Sequence, residues 1–170
     1  MKRNTALTFG LLLAISLPGI SPADDEANEE KEGGSQLRQV ANANWKAECA
    51  SCHMLYHPGF LPARSWRKMM GSLDKHFGEN ASLAPASQQD VTNFLVKYSA
   101  DQSGAKYAKS IPAGSTPLRI TETAWFKREH REVDAGVWKR AKIGSPSNCM
   151  ACHKGTEQGD FSGDQVAIPR

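Results

Sequence analysis

The sequence predicts a small, mainly α-helical protein with little or no strand, and three observations carry that prediction. Apolar residues recur every three or four positions through most of the chain, which is the repeat of one helix face. No run alternates apolar and polar residues between turn signals as a half-buried strand does. Every cysteine falls in one of two Cys-x-x-Cys-His units, Cys49-Ala50-Ser51-Cys52-His53 and Cys149-Met150-Ala151-Cys152-His153, a pattern that reads as covalent attachment of a c-type haem. One unit in each half predicts a haem-organised α protein whose two haem-binding halves pack as one compact domain.

The motif spacing has a chemical reason. Two thiols one helical turn apart reach the two vinyl groups of one porphyrin, and the adjacent histidine swings under the ring to bind iron. A structural zinc site instead pairs Cys-x-x-Cys units about 15–20 residues apart, whereas these begin at Cys49 and Cys149. Zinc also leaves unexplained why both units end in histidine. A redox-active dithiol calls for a βαβ pattern, and a disulfide framework suits a shorter chain. Two c-type haems therefore account for Cys49, Cys52, His53, Cys149, Cys152 and His153 together.

Residues 1–23 read as a removable export signal: Lys2-Arg3, an apolar stretch from Ala6 to Leu17, then small residues ending at Ala23. The apolar stretch is shorter than the ~20 residues that span a bilayer, so no membrane span is expected in the mature chain. Export together with the haem motifs places the protein in a bacterial periplasm. Residues 24–36 are acidic, lack aromatics and end in Gly33-Gly34-Ser35-Gln36, which predicts a disordered arm. They carry a net −5, against +6 for residues 37–170. Scattered basic residues in an exported chain exclude a nucleic-acid role, and the mild positive charge favours an acidic redox partner through electrostatic steering. Side chains alone would make a thin core for residues 37–170, so protein made without haem attachment is expected to lack a cooperative unfolding transition.

Within residues 37–170 the first half spans about 37–110 and the second about 111–170. Leu37, Val40, Ala41 and Trp45 predict a helix over residues 37–53 with the first motif at its end. His57-Pro58-Gly59 and Pro62 break it. Trp66, Met69, Met70, Leu73 and Phe77 form one face of a second helix over residues 65–77, stopped by Gly78. Ser87-Gln88-Gln89-Asp90 resembles a capping box opening a third helix with Val91, Phe94, Leu95 and Tyr98 on one side, ending before a loop over residues 101–104. Residues 111–119 are a linker. A fourth helix starts at Thr121 or Thr123 and carries Phe126, His130 and Val133 at i, i+4 and i+7. Val137, Trp138 and Ala141 suggest a short helix stopping at Gly144, and residues 154–170 read as irregular.

His53 and His153 are the proximal iron ligands by motif. If both irons have histidine on each side, two more are needed, and three histidines remain. His76 and His130 sit on predicted apolar faces, where a lone histidine otherwise needs a buried hydrogen-bond partner. His76 follows His53 by 23 residues and His130 precedes His153 by 23, room enough to cross a haem. His57 is too near His53 to reach the opposite face of the same haem, although the other haem is open to it, and Pro58-Gly59 favours an exposed turn there. Met69 and Met70 are alternative thioether donors whose place in the second helix favours core packing. Met150 points the wrong way to be a distal ligand. Which distal histidine serves which haem stays open, since crossed pairing between halves is physically possible.

The chain resembles the bacterial periplasmic dihaem cytochrome c family (DHC-type) over roughly residues 45–165. The resemblance lies in Glu48-Cys49-Ala50-Ser51-Cys52-His53, Leu61-Pro62-Ala63-Arg64-Ser65-Trp66, Leu73-Asp74-Lys75-His76-Phe77-Gly78-Glu79-Asn80-Ala81-Ser82-Leu83, Arg119-Ile120-Thr121-Glu122-Thr123-Ala124-Trp125-Phe126, Arg128-Glu129-His130-Arg131-Glu132-Val133, Asn148 through His153, and Glu157-Gln158-Gly159-Asp160-Phe161. It implies a small haem-organised cytochrome c with His76 and His130 as distal ligands, electron delivery to a small high-spin haem protein, and membrane cytochrome b donors. The family commonly has Pro where this chain has His57. The leading expectation is a monomeric one-electron carrier without catalysis of its own. Two alternatives remain at this stage: a redox subunit of a larger respiratory complex, and a dihaem enzyme, a peroxidase or nitrogen-oxide reductase, with one open iron.

Overall fold

A computed structural model describes residues 37–170 of the chain; the predicted signal peptide and acidic arm lie outside the described residues. The fold is mainly helical, as the periodicity predicts. Among the described residues no strand forms, and β-type pairing is confined to the isolated bridges His76–Glu79 and His153–Val166. No helix among them is long and apolar enough to cross a membrane.

Helix α1 runs from Ala43–Cys49, shorter than expected at both ends. It starts late because the Asn42 side chain accepts the Trp45 N–H at 2.7 Å, an N-cap that satisfies one free donor of the first turn. Residues 37–42 form no regular element instead, and the segment is held where the Leu37 N–H donates to Gly159 O at 2.9 Å. Gly159 has φ +73, and a Cβ there would meet Leu37 O at 2.7 Å. Only glycine fits that turn and that approach.

Helix α2, Ala63–Met70, begins directly after Pro62 and ends at Gly71, earlier than the apolar stripe implies. Its first N–H, on Ala63, donates to Asp101 Oδ1 at 2.9 Å, and the Gln88 side-chain amide closes its far end on Met70 O at 2.6 Å. Leu73 is still buried, but it lies on a 3-10 turn, Leu73–Lys75. His76 is therefore not on a helix face. It sits in a two-residue turn in which His76 N–H donates to Glu79 O at 2.8 Å and Glu79 N–H to His76 O at 3.1 Å. Both central residues have positive φ, Phe77 at +55 and Gly78 at +109. Left-handed backbone at a bulky residue costs about 1–3 kcal/mol.

Helix α3, Pro85–Lys97, starts two residues before the expected capping box, because Pro85 at its first position has φ already set for a helix. The Asp90 carboxylate turns away and accepts from Asn42 and Asn44 at 3.0 and 2.8 Å, tying α1 to α3. The expected loop at residues 101–104 is instead a single helical turn, α4, Ala100–Ser103, closed by left-handed Gly104. Helix α5, Ala124–Glu129, is capped by the Thr123 hydroxyl and stops at His130. The short helix expected near Val137 is a 3-10 turn, Val137–Lys139.

Two apolar clusters position the sites. The first joins α1, α2 and α3 through Trp45, Leu61, Trp66, Met70, Leu73, Val91, Phe94 and Leu95. Complete burial of a side chain such as Leu61 contributes roughly 1.5–3 kcal/mol. The second joins Leu37, Phe60, Tyr107, Ile111, Trp125 and Phe126, with Phe60 at its centre. Ile120 touches both clusters. Residues 154–170 are more ordered than their composition suggests: Ala167 N–H donates to Cys152 O at 2.9 Å, folding the chain end back over the second motif.

Candidate functional site

The fold brings the four predicted iron-ligating histidines together in two pairs, each within one half. The His53 and His76 ring centres lie 6.2 Å apart with planes inclined at 27°. Those of His130 and His153 lie 6.0 Å apart at 77°. A metal bonded to one nitrogen of each of two facing imidazoles, at about 2.0–2.1 Å per bond, separates ring centres by about 6 Å once the ring radii are added. Both pairs have that spacing, and crossed pairing between halves is not what the fold presents.

Backbone carbonyls orient two of these rings. His53 Nδ1 lies 2.6 Å from Met54 O and His130 Nδ1 lies 2.9 Å from Phe126 O. An N–H donated to a carbonyl from Nδ1 fixes the tautomer that leaves the Nε2 lone pair free for a metal. His130 also stacks on Phe126 at 4.1 Å, as the i, i+4 spacing predicts, although it caps α5 rather than lying inside it. The backbones of His76 and His153 are held by bridges to Glu79 and Val166, and the His153 Nδ1 is buried without a partner among the described residues. Burial first, and the facing His53 second, depress the His76 pKa. Burial first, and the facing His130 second, depress that of His153, with Asp160 acting in the opposite sense. Both shifts favour the neutral imidazole, which is the ligating form.

The cysteines flank these pairs. Cys49 ends α1 and packs against the first cluster, and Cys52 is exposed. Cys149 and Cys152 line an apolar cavity with His130 and His153, walled by Phe60, Tyr107, Trp125, Phe126, Trp138 and Phe161. Burial pushes the Cys149 thiol up to about 11 and raises Cys49, with Glu48 adding to the latter. Thiols so disposed are poor nucleophiles. Among the described residues no group of three or more His, Cys, Asp or Glu side chains gathers where it would hold a bare metal ion. Two facing imidazoles complete the coordination only of a metal that brings four other donors, as haem iron does, and an aromatic-walled cavity suits an apolar plate. The residues present fit two haems.

The remaining candidates have other roles. His57 accepts the Gly59 N–H on Nδ1 at 2.9 Å, capping the turn Pro58–Phe60, and donates from Nε2 to Arg38 O at 2.9 Å, tying that turn to the segment before α1; the turn is buried rather than exposed as expected. Met70 is buried in the first cluster and Met69 packs against it. Met150 is exposed. Sequence reasoning missed Phe77, whose ring lies 4.8 Å from that of His76. The signal was available in the Phe77-Gly78 pair beside a histidine, which reads as a turn once the helix is seen to end at Gly71.

Comparison with known proteins agrees with a protein that carries two c-type haems. The dihaem cytochrome c family profile matches residues 45–161. A dihaem cytochrome c from Rhodobacter sphaeroides is 44% identical, with a TM-score of 0.67, over 74% of this chain and 99% of that one. A second structure from the same organism, of DHC purified from the cells, is 43% identical over 73% and 100%, with a TM-score of 0.62. A dihaem c-type cytochrome from Shewanella baltica is 39% identical over 75% and 93%, with a TM-score of 0.64. No curated protein matches.

Proposed function

Because this chain belongs to the dihaem cytochrome c family, with two c-type haems and a haem-based electron-transfer role, we propose that it is a periplasmic carrier of single electrons in which each iron is held between two histidines. The observation that carries this reading is the pair of histidine separations, 6.2 and 6.0 Å. Cys49 and Cys52 would hold one haem by thioether bonds, and His53 and His76 would bind its iron. Cys149 and Cys152 would hold the other, with His130 and His153 binding its iron. Bound haem supplies reversible one-electron exchange at iron. The protein's part would be to supply a histidine on each side of each iron, orient His53 and His130 through Met54 O and Phe126 O, and exclude water from the second site with the aromatic wall.

A centre saturated in this way has no position for substrate, so the chain acts as a carrier and not as a peroxidase or nitrogen-oxide reductase. Imidazole on both sides also places the potentials below those of His/Met carriers. Its partners are redox proteins: a small high-spin haem protein as acceptor and a membrane cytochrome b as donor, in keeping with the family resemblance. The described domain acts as a monomer, and the first 23 residues direct it out of the cytoplasm. Spectroelectrochemical titration of the purified protein tests the reading. Two low-spin haems with two potentials and no binding of carbon monoxide at neutral pH support it; a high-spin ferric band in the resting protein refutes it.

A further inference from the structure

The His76–Phe77–Gly78–Glu79 turn places an aromatic residue where such turns favour Asn or Gly, since both central positions need positive φ. Phe77 takes φ +55 while 45% exposed, so core burial does not explain the strain. Its ring lies 4.8 Å from the His76 ring, and the Arg119 guanidinium lies 4.2 Å from the Phe77 ring centre. Arg119 is in turn 3.7 Å from the Glu122 carboxylate and comes from the segment that opens the second half. His76 is also unlike His53 and His130, because no hydrogen bond to its ring is found among the described residues.

We propose that Phe77 and Arg119 form a clasp that positions His76 against the first metal site, doing for that ring what a carbonyl does for His53 and His130. The proposal rests on the two-histidine reading of that site. The guanidinium is attracted to the face of the Phe77 ring, the ring is held against the imidazole, and the turn's paired backbone bonds fix the Cα of His76. Because Arg119 ends the linker that opens the second half, the clasp also joins that half of the chain to the first site. Neither residue touches iron; both are positioning residues.

The test uses haem-loaded protein carrying Phe77→Asn, which suits the left-handed turn but removes the ring, with Phe77→Tyr as the conservative rescue and Arg119→Gln to remove the cation. Carbon monoxide is added to the reduced proteins and binding is read from the visible spectrum. The expected result is that F77N binds carbon monoxide at one of its two haems while wild type and F77Y bind at neither. R119Q should lower the potential of that same haem and leave the other unchanged. F77N as resistant as wild type, or an unchanged potential in R119Q, overturns the clasp. Wild-type protein that itself binds carbon monoxide at the first haem overturns the two-histidine reading as well, so the two failures are distinguishable. The melting profile of F77N, expected to match wild type, separates loss of the clasp from loss of the fold.

Discussion

The Tyr56 hydroxyl donates a 2.9 Å hydrogen bond to Ser147 O. That carbonyl also accepts the Cys149 N–H at 3.0 Å, and the Tyr56 ring lies 5.1 Å from the ring of His53. One side chain thus ties the first motif to the approach to the second. Tyr56→Phe keeps the ring and loses the bond. It should cost about 0.5–1.5 kcal/mol, read as a lower denaturant midpoint, with both low-spin spectra retained.

His57 should give the protein a pH-dependent stability. Burial depresses its pKa, its bond to Arg38 O acting in the opposite sense. A folded-state pKa below the ordinary 6.5 means that the folded form resists protonation, which would put a proton on Nδ1 facing the Gly59 N–H. The contribution is fully present above the ordinary value and is lost as pH falls through the lower folded value. The melting temperature should therefore drop as pH falls from about 7.5 through the ordinary histidine range. His57→Ala should cost about 1 kcal/mol at the upper end of that range and flatten the part of the slope due to this residue. An undiminished slope in the variant would assign the pH dependence elsewhere.

His76→Ala and His130→Ala should each convert one haem to a high-spin species and leave the other low-spin, as read from the optical spectrum. His57→Ala should change neither spectrum, since both of its ring nitrogens are engaged by backbone.

The sequence was most legible where chemistry constrains it. The two motifs identify six site residues without reference to shape. The stripe Trp66, Met70 and Leu73, and the stripe Val91, Phe94 and Leu95, are buried together in the first cluster. Periodicity failed at His76, because Leu73 continues the apolar rhythm on a 3-10 turn and pattern alone does not separate the two. It failed again at residues 37–42, an irregular segment held at Leu37 by Gly159, 122 positions away, a constraint no local window contains. The capping-box reading at Asp90 lost to Pro85, whose preset φ begins the helix earlier. His130 was placed correctly relative to Phe126 because the i, i+4 relation survives at a helix end.

Electron paramagnetic resonance of the fully oxidised protein tests the central claim most directly, because it reports spin state and ligand orientation at both irons. Rings near parallel at the first pair and near perpendicular at the second predict two low-spin signals of unequal shape, one rhombic and one dominated by a single large g value, with no high-spin component. A high-spin signal accounting for one of the two haems would contradict the account.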